Sequence, residues 1–534
     1  MTLTPLYLRV MRSIITLLLL VTTLPFRVPG QSSSQVAADN IIVTAFTPAL
    51  PIMQRMDANP VLCIKIYLPA GTQPLSFQQL HYTLNRPAVD AIQKMEVFEN
   101  GSEPLFSQKY PRTSFTPSST AAAIPINIIT KPGWNYIWIS IVLKDDAHIA
   151  NKIEFHAGRL VDAGNNSFHI KETKGSYSKY TGIAVRKAWD DSVHTYRIPG
   201  LATTNKGTLI GVYDIRYKHA GDLPANVDVG MSRSTDGGIT WEPMKAIIDM
   251  GPPHENNGVG DPAILFDPAT HKIWVAALWS KGNRSIAGSE PGLSPDTTGQ
   301  FVLVSSDDDG LTWSKPVSIT AQVKDPKWHL YFNGPGNGMA MENGTLVFAS
   351  QYWDESSKPG IPHSAIIYSD DHGQTWKSGT GAKSNTTEAQ VIETKPGTLM
   401  LNMRDNRGGY RSIATTTDMG KTWTEHRTSY HALPDPICMA SLIKARVNVK
   451  GKMKDVLFFS NVNSQTARVN MTIKASLDLG ETWSPLHEVF LDERASFGYS
   501  ALTKIDDHTI GIFYEGARDL FFVRIPVMDI ITGP

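Results

Sequence analysis

Two groups of residues have types and spacings that could bind a metal ion or form a covalent cross-link. Residues 306–310 (SDDDG) resemble the start of a calcium loop, but the segment lacks a glutamate at the twelfth loop position and a flanking helix pair, which argues against an EF-hand. Cys63 and Cys438 lie far apart and belong to no CxxC pair, which argues against a zinc site or a disulfide framework. We expect both cysteines to be small buried apolar side chains.

The acidic segment at 306–310 is one copy of a motif, S/T-x-D-x-G-x-T-W, that occurs five times. The copies are residues 234–241 (STDGGITW), 306–313 (SDDDGLTW), 369–376 (SDDHGQTW), 416–423 (TTDMGKTW) and 476–483 (SLDLGETW). The Asp and Ser or Thr side chains can bond backbone amides of a turn, and the Gly permits a positive φ. The motif therefore predicts a hairpin turn between two strands, and its repetition predicts a solenoid, propeller or array. Blades of about 60 residues would number six, so we expect a six-bladed β-propeller over 180–534.

The residues before the repeats also have the pattern of an all-β protein. Residues 61–68 (VLCIKIYL) and 136–143 (YIWISIVL) are β-branched and aromatic runs of strand length, with Pro- and Ser-rich turns between them. We expect an N-terminal β-sandwich over 31–175 and a linker at 175–179 (GSYSK). The predicted fold class is therefore all-β, with a six-bladed β-propeller preceded by an N-terminal β-sandwich domain.

Composition and charge exclude several classes of protein. The 534 residues are 41% hydrophobic and 19% charged, which argues against disorder, and the formal net charge of zero argues against a nucleic-acid partner. Residues 1–30 have the pattern of an export signal, since Arg9 and Arg12 precede an apolar run, 14–21 (IITLLLLV), that is too short to span a bilayer. No cysteine directly follows this run, so a lipoprotein anchor is not indicated, and no later run has membrane-spanning length. We expect no stable membrane anchor and a protein exported to the periplasm or the extracellular space.

The repeats and three arginine-containing segments together resemble the sialidase family, in which such repeats are known as Asp-boxes. The sequence YRIP at 196–199 is similar to that family's Arg-Ile-Pro signature. Arg404, in 401–408 (LNMRDNRG), and Arg468, in 461–472 (NVNSQTARVNMT), precede the fourth and fifth repeats as two further arginines do in the family. The resemblance covers 180–534. The N-terminal region is similar, without short motifs, to the accessory domain of sialidases from Bacteroides-type gut bacteria.

The resemblance implies that Arg197, Arg404 and Arg468 bind the carboxylate of a sialic acid. Three guanidinium groups can form several charge-assisted contacts with one carboxylate, some of them bidentate. Because arginine is mostly exposed in proteins, three unrelated surface residues are the alternative. Glu515, in 513–516 (FYEG), matches the family's glutamate that fixes the first arginine, and it could instead be an ordinary carboxylate at a strand end.

The resemblance also implies three catalytic residues: Tyr499 as nucleophile, Glu388 as its base and Asp222 as the acid/base. The substrate's own carboxylate would repel a carboxylate nucleophile but not a neutral phenol, and sialidases are an exception to the two-carboxylate rule. A free phenol has a pKa of about 10, so Tyr499 needs a base. The alternatives are a core or rim tyrosine, a solvated glutamate in 388–393 (EAQVIE) and a turn-forming aspartate in 221–224 (GDLP).

Two further residues are implied in binding the sugar. Asp261, in 260–263 (GDPA), matches the family's aspartate near the substrate N-acetyl group, and Arg216, in 214–216 (DIR), would contact the C4 hydroxyl. An apolar pocket for the acetyl methyl is also expected, although each aromatic candidate could instead pack within a sheet. The candidates are Trp279, Trp328, Tyr331, Phe332 and Trp353.

Together these features predict an exo-α-sialidase that releases terminal α-ketosidically linked sialic acid from glycoproteins, glycolipids and oligosaccharides with retention. The expected partners are sialylated glycans, and no metal or organic cofactor is implied. A sialic-acid-binding propeller lectin is an alternative, but binding alone would need only the arginines. A trans-sialidase, or an enzyme of the same fold that releases a deaminated sialic acid, is another alternative. A purely structural role would leave YRIP and the spaced arginines unexplained.

Overall fold

The computed structural model describes residues 40–109, 111–175 and 177–533, which form an all-β protein, as predicted. The export signal predicted for 1–30 lies outside these residues. The helical segments of the described ranges are Arg86–Ala91, Thr320–Val323 and Val527–Thr532, together with the 3₁₀ turn Asp190–Ser192. None of these helices has the length and hydropathy that crossing a bilayer would require.

Two largely antiparallel sheets near the N-terminus pack around one apolar core. The first contains, in spatial order, Lys171–Lys174, Ile42–Phe46, Asn59–Leu68, Gly133–Leu143, Ile92–Gly101 and Pro111–Phe115. The second contains Ser167–His169, Ile153–Asp162, Ser76–Leu84 and Ala121–Ile129, with Ser178–Lys179 beside Ile153–Asp162. Alternate side chains of facing strands, such as Ile64 and Leu80, are fully buried in this core.

Six further sheets are numbered 1 to 6, with their strands given in spatial order. Sheet 1 contains Thr195–Thr203, Leu209–Arg216, Val227–Ser234 and Lys245–Ile248. Sheet 2 contains Gly336–Asn337, Val259–Phe266, Ile273–Trp279, Gln300–Ser306 and Val317–Ser318. Sheet 3 contains Leu330–Asn333, Leu346–Trp353, Pro362–Ser369 and Lys377–Ser378, with the short additional strands Met339–Ala340 and Lys383–Ser384.

The remaining strands complete this series. Sheet 4 contains Thr386–Lys395, Thr398–Asp405, Ser412–Thr416 and Thr424–Glu425, and a separate two-stranded ladder pairs Gly409–Tyr410 with Pro434–Asp435. Sheet 5 contains Ser441–Val449, Lys452–Val462, Met471–Ser476 and Glu488–Asp492. Sheet 6 contains Ser500–Asp506, Thr509–Glu515, Leu520–Pro526, Thr181–Arg186 and Ile52–Gln54.

Each copy of the repeated motif forms the turn that follows the third main strand of sheets 1 to 5. In the copy at 306–313, Ser306 Oγ accepts the Gly310 amide at 2.9 Å and Asp308 Oδ1 accepts the Thr312 amide at 2.8 Å. The same bonds recur in the other four copies. The predicted hairpin turn is therefore confirmed. Sheet 6 has no copy because Leu520–Pro526 and Thr181–Arg186, which pair there, are not consecutive in the chain.

The six sheets form a closed ring, since each shares an apolar core with the next and sheet 6 shares one with sheet 1. The motif tryptophans contribute to these contacts: Trp241 of sheet 1 stacks on Phe513 of sheet 6, with ring centroids 5.9 Å apart. The ring closes where Thr181–Arg186 pairs antiparallel with Leu520–Pro526. Ile52–Gln54 adds to the same sheet and ties the N-terminal region to the ring.

Chain direction places the Asp-box turns and the predicted site residues at opposite ends of the ring. In an antiparallel sheet, the turn after the third strand lies at the end opposite to the start of the first strand and the turn after the second. Arg197 and Glu388 lie near the starts of first strands, Arg404 near the end of a second strand, and Arg468 in the turn after a second strand. The fold therefore brings these residues to one end.

Candidate active site

A cavity of about 510 Å³ lies at the end of the ring where the first strands begin. Most of the predicted site residues line it, while Arg216 and Glu515 lie behind the lining and contact it. The predicted residues in the lining are Arg197, Asp222, Asp261, Glu388, Arg404, Arg468 and Tyr499.

Tyr499 directly precedes the strand Ser500–Asp506, and its phenol oxygen donates to the Glu388 carboxylate at 2.6 Å and 2.8 Å. Arg404 Nη1 donates to the same phenol oxygen at 3.0 Å and to Glu388 at 2.8 Å. Burial, followed by the charge of Glu388, raises the pKa of Tyr499 well above its ordinary value, and Arg404 and Arg197 offset only part of this. The phenol is therefore protonated at neutral pH, and a base for its proton is already in contact.

Three guanidinium groups from different parts of the ring converge around Tyr499. The Cζ atoms of Arg197 and Arg468 lie 5.3 Å and 5.8 Å from the centroid of its ring. Arg404 contacts its phenol oxygen from sheet 4. Three cations that border one small cavity create a local field that favours an anionic ligand, although the formal net charge of the chain is zero.

Arg468 is held by main-chain carbonyls. Its Nη1 and Nη2 atoms donate to the oxygens of Phe497 and Ile437, each at 2.9 Å. Ile437 has a φ of 61°, in the left-handed region that β-branched residues rarely adopt. The loop thus keeps a strained conformation that presents its carbonyl to Arg468.

The buried carboxylate of Glu515 compensates the charge of Arg197. Its Oε1 accepts Arg197 Nε at 3.1 Å and the Ile198 amide at 2.9 Å, and its Oε2 accepts the Tyr499 amide at 2.8 Å. The sequence predicts the contact with Arg197 but gives no sign of the bond to the Tyr499 amide. One carboxylate therefore fixes both an arginine and the backbone of the tyrosine.

Asp222 lies in the turn after the second strand of sheet 1, and its side chain is 79% exposed. Its Oδ1 accepts Arg216 Nη1 at 2.6 Å and Arg197 Nη1 at 3.2 Å. Desolvation acts to raise the pKa of this carboxyl, but Arg216 and Arg197 outweigh it and lower the pKa below its ordinary value. In this arrangement Asp222 is ionised, and it must lose arginine contacts before it can hold a proton.

Arg216 lies behind Asp222 rather than in the cavity lining. Its Nε and Nη2 donate to Asp214 at 3.1 Å and 2.8 Å, and its Nη1 donates to the Ala220 carbonyl at 2.7 Å as well as to Asp222. These bonds use most of its donors. The structure therefore does not bring Arg216 to the cavity surface, where a contact with a sugar hydroxyl was expected.

Asp261 lines the cavity near the start of sheet 2, with a φ of 57°. Its amide donates to Asp214 Oδ1 at 2.9 Å, which holds this conformation. Burial, followed by the charges of Asp214, Glu388 and Asp222, raises the pKa of Asp261 well above its ordinary value. This carboxyl group therefore holds a proton more readily than an exposed aspartate does, and in its protonated form it can donate a hydrogen bond.

Apolar residues also line the cavity. Of the aromatic candidates, Phe332 and Trp353 line it, with centroids 5.8 Å apart and ring planes 5° apart. Trp328 and Tyr331 are not in the lining and pack in the core between sheets 2 and 3. The other apolar residues of the lining are Ile198, Leu223, Leu278, Ile286 and Ala287.

Sequence reasoning missed several polar residues of the lining. Gln351, Thr387 and Asn406 border the cavity. Asn406 lies in the segment 401–408, which the sequence marks only for Arg404, and Gln351 and Thr387 belong to no short motif. Glu393 shares a strand with Glu388 but lies toward its other end, where it accepts the amides of Glu342 and Gly397. Glu388 is therefore the carboxylate of this strand that faces the cavity.

The structure also bears on the two cysteines and on clusters of side chains that could hold a metal ion. Cys63 and Cys438 are free and buried, as predicted. Within residues 40–109, 111–175 and 177–533, His, Cys, Asp and Glu side chains form no cluster of three or more that could hold a metal ion.

Comparison with known proteins agrees with this architecture. Residues 215–513 match the family model of the BNR repeat-like domain, and residues 38–166 match that of the N-terminal domain of BNR-repeat neuraminidase. The chain is 45% identical to a sialidase of Bacteroides fragilis, over 82% of this chain and 87% of that protein. It is 36% identical to a sialidase of Micromonospora viridifaciens, over 60% of this chain and 50% of that protein.

A solved structure extends the comparison. The Hadza microbial sialidase Hz136 superimposes with a TM-score of 0.84 at 40% identity, covering 91% of this chain and all of that one. The β-sheet fold and the matched domains define a BNR-repeat glycoside hydrolase. Within that class the chain belongs to the sialidase, or neuraminidase, family. The prediction from the Asp-boxes and the YRIP sequence is confirmed.

Proposed function

We propose that this enzyme is an exo-α-sialidase that releases terminal sialic acid from glycoproteins, glycolipids and oligosaccharides, with retention and through a tyrosine nucleophile. The observation that carries the proposal is the 2.6 Å hydrogen bond between Tyr499 and Glu388, in a cavity bordered by three arginines. Such a pair suits attack on a sugar carbon that itself bears a carboxylate. The names of the similar proteins support the same substrate class.

In the binding step, Arg197, Arg404 and Arg468 hold the substrate carboxylate. Charge-assisted bonds from several guanidinium groups fix both the position and the orientation of a planar carboxylate. Glu515 prevents Arg197 from turning away, because it holds Nε at 3.1 Å. The anomeric carbon is then presented to the phenol of Tyr499, since all three arginines border that ring or its oxygen.

In the first chemical step, the oxygen of Tyr499 attacks the anomeric carbon while Glu388 takes the phenol proton. The raised pKa of Tyr499 makes a free phenolate unfavourable, so proton transfer accompanies attack. Arg404 contacts both Tyr499 and Glu388 and stabilises the charge shared between them. The bond to the leaving sugar breaks, and a sialyl group remains on Tyr499.

Asp222 serves as the acid in this step and as the base in the next. A substrate carboxylate at Arg197 competes with Asp222 for that guanidinium and adds a negative charge nearby. Both effects raise the pKa of Asp222, so it gains the proton that it gives to the leaving oxygen. Asp222 then removes a proton from water, which attacks the anomeric carbon and releases sialic acid with the original configuration.

The finer assignments of fold and location belong to the same proposal. The ring of six sheets corresponds to a six-bladed β-propeller over 180–534, and the two N-terminal sheets to a sandwich domain over 31–175. Residues 1–30 would be an export signal that sends the enzyme to the periplasm or the extracellular space, where sialylated glycans occur.

The test combines product analysis with trapping of the covalent intermediate. The enzyme should release sialic acid from a fluorogenic sialoside, and proton NMR should show the α-anomer as the first product. A 2,3-difluoro sialic acid should label Tyr499, detected by peptide mass spectrometry, and the label should be absent from Tyr499→Phe. Binding of the sialoside without release of sialic acid would indicate a lectin. Transfer of sialic acid only to an acceptor sugar would indicate a trans-sialidase. A β-anomer formed first, or a label on another residue, would contradict the mechanism.

A further inference from the structure

The tripeptide at 497–499 contacts all three arginines of the cavity. The ring of Phe497 lies against the guanidinium of Arg197, with 4.1 Å between its centroid and Cζ. The carbonyl oxygen of Phe497 accepts Arg468 Nη1 at 2.9 Å. Tyr499 then contacts Arg404 at 3.0 Å through its phenol oxygen. Phe497 thus contacts two of the three arginines, one through its side chain and one through its main chain.

Gly498 makes this double contact possible. Its φ of +91° lies in a region that L side chains rarely adopt. A Cβ atom at this position would lie 3.0 Å from Cys438 Sγ and 3.1 Å from Val462 Cγ1. The chain therefore turns tightly at Gly498, so the Phe497 ring, the Phe497 carbonyl and the Tyr499 phenol face three different arginines.

The contact between the ring and Arg197 does not use any N–H group. Arg197 Nε donates to Glu515, and Nη1 donates to Asp222. Among the described residues, none accepts a hydrogen bond from Nη2. The ring covers one face of the planar guanidinium, as expected for a cation–π pair, and leaves the Nη2 edge available for an anion.

We propose that Phe497 is a positioning residue for the substrate carboxylate. Its ring fixes the plane of Arg197 and its carbonyl fixes Arg468, so it sets the relative orientation of two of the carboxylate-binding guanidinium groups. The inference rests on the proposed function, because it assumes that these arginines bind the carboxylate of a sialic acid. Phe497 itself touches no reacting atom in the proposed mechanism.

The first test is Phe497→Leu, which removes the aromatic face and keeps the carbonyl. We expect KM for a sialoside to rise about three- to tenfold, the range of a partly desolvated cation–π contact, with kcat changed less than about twofold. Inhibition by the 2,3-unsaturated analogue of sialic acid should weaken by the same factor. Inhibition by the analogue whose carboxyl group is reduced to an alcohol should stay unchanged, because it lacks the group that the arginines hold.

A second test uses a series of variants that keep the shape of the Phe497 ring and change only its electrostatics. One, two or three fluorine atoms on the ring of residue 497 progressively weaken its negative face with little change in volume. KM should rise stepwise with fluorination, and Phe497→Tyr should remain close to wild type. If Phe497→Leu does not fold, this series still tests whether the Phe497 ring positions Arg197.

A matched control lies in the N-terminal region. Trp134 forms an exposed cation–π pair with Lys65, with 4.8 Å between Nζ and the ring centroid, in a sheet outside the ring. Trp134→Leu should leave KM and both inhibition constants unchanged. A change comparable to that of Phe497→Leu would indicate a general loss of structure instead.

Three outcomes would overturn the role of Phe497 in an enzyme that hydrolyses sialosides. These are unchanged KM and inhibition in Phe497→Leu, equal weakening of the acid and alcohol analogues, or no dependence on fluorination. An enzyme without any turnover would instead overturn the proposed function. Calorimetric titration of the same variants with the acid analogue would still test whether Phe497 orients the arginines.

Discussion

The two ends of the ring are built in different ways. At the Asp-box end, each turn is closed by bonds within its own motif, such as those from Gly310 and Thr312 to Ser306 and Asp308. At the cavity end, contacts join distant parts of the chain: Arg197 and Glu515 are 318 residues apart, and Tyr499 and Glu388 are 111 apart. The Asp-box turns repeat the same internal bonds, to which bonds such as those from Thr204 and Thr208 to Asp309 are added. The cavity end is built instead from different residues of different sheets. We infer that the first end serves stability and that the second serves chemistry.

The largest effect is expected for Tyr499→Phe, at the cavity end. We expect kcat/KM to fall about 10³-fold or more, because the variant lacks the nucleophilic oxygen. The thermal midpoint should change by no more than about 3 °C, since a single hydroxyl is lost. Steady-state kinetics on a fluorogenic sialoside and calorimetric unfolding provide the two measurements.

Tyr180→Phe is the matched control for this substitution. Its phenol also donates to a carboxylate, Asp529, at 2.8 Å, but it lies at the boundary with the N-terminal region. Activity should be unchanged in that variant. If Tyr499→Phe kept near wild-type turnover, the cavity end would not work as proposed.

A second prediction concerns binding at the cavity end. Arg468→Lys should raise KM about tenfold or more, because an ammonium group cannot span the Phe497 and Ile437 carbonyls and face the cavity as a planar guanidinium does. Arg446→Lys, at an exposed position of sheet 5, should leave KM unchanged. Equal KM values for both variants would contradict the assignment of Arg468 to the binding site.

A third prediction follows from the lowered pKa of Asp222. When a sialic acid analogue occupies the arginines, the pKa of Asp222 should rise, so binding at about pH 5 should take up a fraction of a proton. Titration calorimetry in buffers of different ionisation enthalpy measures this uptake. The uptake should disappear in Asp222→Asn, and uptake that persists there would assign the proton to another group.

The smallest effect is expected at the Asp-box end. Hydrogen bonds from the Thr312 side chain and backbone lower the pKa of Asp308 to about 2. Its carboxylate therefore contributes stability above the unfolded pKa of about 3.9, and this contribution is lost as the pH falls toward the folded value. Asp308→Asn should lower the thermal midpoint by about 1–2 °C at pH 7 and by less as the pH falls.

The activity of Asp308→Asn tests whether the two ends of the ring have separate roles. Asp308→Asn should leave kcat and KM unchanged, since Asp308 lies at the end of the ring opposite to the cavity. A loss of turnover without a loss of stability would contradict the division between the two ends.

The same contrast explains how much could be predicted from the sequence. The Asp-box turns were predictable because every bond that closes them lies within one short motif. The all-β class followed from strand-length runs before residue 180 and from the repeated hairpin-turn motif after it. The Tyr499–Glu388 pair could be suggested only through the family resemblance, because no local pattern indicates which of many carboxylates meets a given phenol in space.

Other features of the site and the fold could not be predicted from local sequence patterns. Gln351 and Thr387 line the cavity without belonging to a motif, and Phe497 gains its role only from the turn at Gly498. Ile52–Gln54 is a three-residue strand that joins sheet 6 from the N-terminal region, too short to be predicted from alternation. The position of Arg216 could not be predicted either, because it depends on the hydrogen bonds to Asp214 that hold Arg216 behind the cavity lining.

Closure of the ring has a consequence for the newly made protein. Sheet 6 carries Glu515 and is preceded by Tyr499, and it is complete only when Leu520–Pro526 meets Thr181–Arg186. Before Leu520–Pro526 has paired, Thr181–Arg186 has an unpaired edge on the side away from Ile52–Gln54, and Arg197 lacks its contact with Glu515. Assembly of the active site therefore depends on closure of the ring, since the sheet that this pairing completes places Glu515 beside Arg197.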